Sequence, residues 1–95
     1  MVTAIVTIDC ETDSIPEVAE ALAALPGVSE VYSVTGDIDL IAIVRVREFE
    51  QLADVIAGGI SKVPGVLRTD SHVAFRAYSR RDLEEAFAIG GAGGD

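Results

Sequence analysis

The chain has 95 residues, 16 acids against 7 bases, a formal charge of −9, 49% hydrophobic residues and a single cysteine. A domain of that length buries only roughly two-thirds of the surface its unfolded chain exposes, so surplus apolar surface is expected to go into an oligomer. The charge disfavours direct nucleic-acid binding, no apolar run approaches the ~18 residues of a membrane span, Cys10 alone excludes an intrachain disulfide, and with no secretory signal visible at Met1 to Ala4 the expected address is cytoplasmic.

Val2 to Ile8 alternates, with Val2, Ala4, Val6 and Ile8 on one face and Thr3, Ile5 and Thr7 on the other, which predicts a first strand. An acidic loop, Asp9 to Asp13, follows. Its alternate acids lack the glycine that a calcium loop needs for its sharp turn, so no metal site is assigned. Ser14 and Glu17 have capping-box spacing, and Ile15, Val18, Ala19, Leu22 and Leu25 make one apolar stripe of a helix that stops at Pro26-Gly27.

Val28 to Thr35 reads as a second strand and Ile38 to Arg47 as a third, joined by a tight Gly36-Asp37 turn. In the third, Ile38, Leu40, Ala42, Val44 and Val46 share a face and Ile41 and Ile43 occupy the other, so both faces want burial. Phe49, Leu52, Ala53, Ile56, Ile60 and Val63 place a second helix between Glu48 and Lys62, weakened by Gly58-Gly59. After Pro64-Gly65, Val66 to Tyr78 reads as strand four. Ser79 and Asp82 open a short C-terminal helix carrying Leu83, Ala86 and Phe87, and residues 90–95 form a glycine-rich tail beyond a single domain of residues 1–89.

Leu25-Pro-Gly-Val28 recurs as Val63-Pro-Gly-Val66, 38 residues later from proline to proline. The chain therefore reads as strand, helix, strand given twice. That order implies an α+β, ferredoxin-like βαββαβ fold, with strands one and three central and both helices on one face of the sheet. The other face carries Ile5, Ile41 and Ile43 with no helix assigned to it. A sheet packs well on a sheet, so a homodimer is expected in which the two open faces meet as a dimeric α/β barrel, the segment from Ser79 to Ile89 reaching over the partner.

The same topology places Thr35 to Asp39 and the start of strand four, with Thr69, Asp70 and Ser71, at one end. Acids that hold an ammonium, beside hydroxyls and turn N–H groups that hold a carboxylate, suit a zwitterionic amino acid. Val34-Thr-Gly-Asp-Ile-Asp-Leu40, then Val63-Pro-Gly-Val66 and Thr69-x-Ser71, resembles the effector-binding domain of the Lrp/AsnC family, the feast/famine regulators of amino-acid metabolism. The resemblance runs from Val2 to about Phe87. It implies dimers formed through the sheets, often assembled into octameric rings, with amino-acid effectors held in clefts between dimers.

Carried over by residue, the resemblance makes Thr35, Gly36, Asp37, Asp39, Thr69 and Ser71 the ligand-binding set, with no cofactor. Ser71 stands where threonine is commoner, and Ile38 where an aromatic residue is often found, differences that bear on the ligand's side chain. Family regulators carry an N-terminal helix-turn-helix domain, whereas here strand one begins at Val2. The resemblance thus implies a stand-alone module that reaches transcription through partners, such as full-length relatives.

Two other readings stay open. Small dimeric ferredoxin-like proteins include cofactor-free monooxygenases and isomerases, for which His72 is the candidate base, although no Ser/His/Asp set, phosphate loop or metal spacing accompanies it. An ACT-type regulatory domain shares the strand order and ligand class, and side-by-side sheet extension would mark it.

Overall fold

The structure, a computed structural model, describes residues 1–80. Strands β1 (Val2–Cys10), β2 (Val28–Ser33), β3 (Leu40–Val46) and β4 (Val66–Val73) form one antiparallel sheet in the order β2-β3-β1-β4, with helices α1 (Ile15–Ala23) and α2 (Gln51–Ile56) between them. This is the βαββαβ ferredoxin-like fold, and β1 and β3, the most apolar strands, are central. The expected C-terminal helix and glycine tail fall, from residue 81 on, outside the described residues. Among those described, no helix is long and apolar enough to cross a membrane.

The alternation in β1 and β3 sets the core. Ala4, Val6, Ile8 and Cys10 from β1 and Leu40, Ala42, Val44 and Val46 from β3 are buried beneath Val18 and Leu22 of α1, Leu52 of α2 and Ile60. Burying each of the larger aliphatic groups contributes about 1.5–3 kcal/mol. Cys10 continues the buried parity of Val6 and Ile8, so β1 runs two residues further than its apolar alternation suggested. A register shift against β4 falls between Asp9 and Cys10.

The two Pro-Gly turns bind the repeated halves to each other. Gly27 and Gly65 both have positive φ, +90° and +98°. A Cβ on Gly27 would meet Val55 Cγ2 of α2 at 2.7 Å, and one on Gly65 would meet Val18 Cγ2 of α1 at 2.8 Å. Each half thus lays its turn against the helix of the other, at a distance only glycine permits.

Several boundaries differ from the expectation. Ser14 caps nothing with its side chain: a 3₁₀ turn over Thr12–Ser14 runs straight into α1, and Ser14 instead donates its backbone N–H to the Glu11 carbonyl at 2.9 Å. The second helix breaks at Gly58-Gly59, each costing about 1 kcal/mol against alanine, into α2 and a 3₁₀ turn over Ile60–Lys62. Phe49 precedes α2 and is 64% exposed rather than on its buried stripe. Strand β4 stops at Val73 instead of Tyr78: the Ala74 N–H still reaches the Thr3 carbonyl at 2.9 Å, and the chain then leaves the sheet before the end of β1 at Val2.

Candidate functional site

The expected two-residue turn is a six-residue loop over 34–39. β2 ends at Ser33, β3 begins at Leu40, and the loop is closed by the Val34 N–H donating to the Asp39 carbonyl at 3.1 Å. Asp39 is engaged through its main chain and its side chain alike. Its N–H donates to the Ile8 carbonyl at 3.1 Å, and its carboxylate Oδ2 accepts the Cys10 N–H at 3.0 Å. Leaving that part-buried N–H unpaired would cost about 1–3 kcal/mol, so the carboxylate has a structural use.

Thr35, Gly36 and Asp37 are exposed at the tip, where Gly36 takes φ +112° with open space around it. Asp37 is therefore the acid of the pair that faces solvent. Asp39 and Ile38 are half-buried at the root of the loop.

On β4, Thr69 lies opposite Ile8 and Ser71 opposite Val6, so both hydroxyls stand on the helix-covered side, Thr69 half-buried and Ser71 exposed. Ile8 also pairs with Leu40, which puts the loop and the hydroxyl pair at the same end of the sheet. They are not adjacent. β1 lies between them, and two strand spacings separate Leu40 from Thr69 by roughly 10 Å. Within one subunit, the structure brings together Thr35, Gly36, Asp37 and Asp39 on one loop, and Thr69 and Ser71 on another strand.

Cys10 and its surroundings escaped the sequence reading. The thiol is buried at this end, and its pKa is raised above the ordinary value, first by burial and then by the nearby carboxylates of Asp39 and Asp9. Asp9 in turn faces Arg68 of β4 at 3.8 Å, and Glu11 donates its N–H to the Gly65 carbonyl at 2.9 Å. The buried parity running on from Ile8 to Cys10 was the available clue. No group of three or more His, Cys, Asp and Glu able to hold a metal ion occurs among the described residues.

The sheet face opposite the helices carries Ile5, Ile41 and Ile43, as expected, together with a polar cluster that was not. Glu30 and Tyr32 of β2 pair with Ile43 and Ile41, and so share that face with Arg45. The Tyr32 hydroxyl donates to Glu30 Oε2 at 2.7 Å, and Arg45 Nη1 donates to Glu30 Oε1 at 3.0 Å. These two donors hold the Glu30 carboxyl below its usual range, the tyrosine bond first, and the Tyr32 hydroxyl is correspondingly raised. Ile5 and Tyr32 are 39% and 50% exposed. His72, the candidate base, also stands on this face opposite Ile5, exposed and 3.5 Å from the Asp70 carboxylate.

Two open clefts, of about 390 and 440 Å³, lie at the far end of the sheet. The first is lined by Gly27, Arg45, Arg47 and Val55, and the second by Thr3, Ile5, Arg45 and Phe75. None of the six expected ligand residues lines either.

The Lrp/AsnC ligand binding domain family matches residues 3–83. The crystal structure of TTHA0845 from Thermus thermophilus superposes with a TM-score of 0.79 at 49% identity, covering 84% of this chain and 100% of that one. The transcriptional regulator LysM of Saccharolobus solfataricus is 35% identical over 63 residues, which are 66% of this chain and 44% of LysM. A feast or famine regulatory protein from M. tuberculosis, solved with L-methionine, superposes with a TM-score of 0.66 at 28% identity, over 85% of this chain and 55% of that one. The chain spans less than half the length of the curated relatives it matches.

Proposed function

Because this chain belongs to the Lrp/AsnC ligand-binding domain family, we propose that it is an amino-acid effector-binding and oligomerising module, with no catalytic role, that influences transcription through partners. The observation that carries the reading is the family match over residues 3–83, on a sheet whose second face is bare among the described residues. That match favours the regulatory reading over a cofactor-free enzyme built on His72 or an ACT-type domain. The single thiol suits a reducing, cytoplasmic setting.

Two copies meet through the faces bearing Ile5, Ile41 and Ile43, residues 1–89 acting as one unit, and dimers assemble further, up to octamers. Thr35, Gly36 and Asp37 on the loop, with Thr69 and Ser71 on β4, contact the effector, and Asp39, whose carboxylate accepts the Cys10 N–H, roots that loop. Within one subunit the two groups stand on strands roughly 10 Å apart with β1 between them. The effector clefts between dimers that the family resemblance implies have the loop and the hydroxyl pair coming from different subunits. Binding of L-methionine by the M. tuberculosis relative supports a zwitterionic ligand. Full-length regulators of the same family are natural partners.

An amino acid of about nine heavy atoms, at roughly 0.5–0.8 kcal/mol each, binds with about millimolar to ten-micromolar affinity, which suits sensing of metabolite pools. Calorimetry with each of the twenty amino acids, run beside analytical ultracentrifugation, tests the reading. Heat from one or a few of them, on a species of at least dimer mass, supports it; silence from all twenty or a stable monomer at micromolar concentration counts against it.

A further inference from the structure

Extending the β1–β3 register from Ile8↔Leu40 by two residues would bring Cys10 opposite Ile38. The Cys10 N–H does point toward β3, yet it meets the Asp39 side chain, at 3.0 Å, and not a main-chain carbonyl. β3 begins at Leu40, so the ladder stops there although Ile38 is β-branched and apolar and nothing in its side chain forbids another pair. The carboxylate occupies the place where a strand carbonyl would sit. We propose that Asp39 is a positioning residue: by capping the Cys10 N–H, it keeps residues 35–38 off the sheet and leaves Asp37 as the acid that meets the effector's ammonium.

The rest of the loop agrees. The Asp39 main chain is held on both sides, to Ile8 and to Val34, so the residue is the fixed root from which the tip projects. Thr35, Gly36 and Asp37 are all exposed, whereas Asp39 is half-buried. A carboxylate already committed to a backbone N–H and set back from the tip is poorly placed to grip a ligand as well. Asp37, one residue after a glycine at φ +112°, is exposed on the solvent side of the loop. The ligand half of this inference rests on the effector-binding reading above; the capping half does not.

The test uses the full chain and four proteins: wild type, Asp39→Asn, Asp39→Ala and Asp37→Asn. The first readout is hydrogen exchange of the Cys10 amide by NMR without ligand, with the Ala4 and Val6 amides reporting whether the sheet is intact. Asn retains an oxygen acceptor and Ala does not. Exchange at Cys10 should stay within about threefold of wild type in Asp39→Asn and Asp37→Asn and rise about tenfold or more in Asp39→Ala, with Ala4 and Val6 unmoved.

The second readout is calorimetric affinity for each of the twenty L-amino acids. For the tightest of them, Asp37→Asn should weaken binding about tenfold or more while Asp39→Asn stays within about threefold. Unchanged Cys10 protection in Asp39→Ala overturns the capping role. Loss of binding in Asp39→Asn with Cys10 still protected overturns the division of labour, since the Asp39 charge would then contact the ligand. If no amino acid binds wild type, the effector reading fails and takes the Asp37 role with it, and the exchange series still decides what Asp39 does.

Discussion

Gly65 stands so close to Val18 that a single added carbon would lie 2.8 Å from the valine's Cγ2, in a backbone conformation, φ +98°, that side chains rarely adopt. Two costs coincide: the left-handed backbone and an overlap in a packed core. Gly65→Ala should therefore lose about 2–4 kcal/mol in urea unfolding. In a Val18→Ala background the overlap disappears and the backbone cost remains, so the same substitution should cost less there, a coupling that a double-mutant cycle reads directly. Equal costs in both backgrounds would mean that Val18 is not what Gly65 avoids.

That contact also shows what the sequence revealed and what it withheld. Period-two alternation in β1 and β3 and the repeated Pro-Gly-Val were enough for the strand order, because burial of one sheet face dictates parity. They could not show that the Gly27 turn meets Val55 and the Gly65 turn meets Val18, which depends on how the halves interlock. The loop length was misread because Gly36-Asp37 matches short-hairpin preferences, while the deciding event was a side chain competing with main chain for the Cys10 N–H. Glu30 and Tyr32 went unnoticed on the open face because a register shift between Val28 and Glu30 sets their parity. For the site, the shared end was legible from topology; the strand-wide gap between Asp37 and Ser71 needed the sheet order applied to distances.

The Glu30, Tyr32 and Arg45 cluster makes stability depend on pH in a definite sense. Glu30 titrates lower when folded, so its contribution is present above the unfolded carboxylate value near 4.3 and is lost as pH falls through the folded value. Tyr32 titrates higher when folded, so its contribution is present below about pH 10 and is lost as pH rises through the folded value. Thermal melts of wild type and Glu30→Gln should differ slightly at pH 7, and the gap should close toward pH 3. High salt should shrink the ionic part, since both Arg45 and Glu30 side chains are more than 40% exposed. A gap that widens in acid would reverse the assignment.

Cys10 should behave as an inert thiol in the native chain. Its burial at 4% exposure and the two carboxylates beside it both oppose the thiolate, which is the reactive form. Labelling by a disulfide reagent at pH 8 should be at least about a hundredfold slower than in denaturant, tracking local opening of the Asp39 end. Asp39→Ala should speed it by releasing the cap on the Cys10 N–H and removing one of the two opposing charges. Native and denatured rates within a factor of a few would show that the end is open.

The bare sheet face yields the sharpest test of assembly. Ile5 lies at its middle, between Ile43 of β3 and His72 of β4, and is 39% exposed in one subunit, so replacing it should leave the subunit's own core untouched. If two copies meet here, Ile5→Glu brings an unpaired charge from each subunit into the contact, at a cost of at least about 3 kcal/mol and so roughly a hundredfold or more in dimer affinity. Sedimentation at ten micromolar should then shift from dimer or larger toward monomer, with an unchanged far-UV spectrum. Phe49→Glu, at a 64% exposed position before α2, supplies the control and should leave the mass unaltered. An Ile5→Glu protein that sediments like wild type would move the interface off this face, and a shift produced by Phe49→Glu instead would put it at the α2 end.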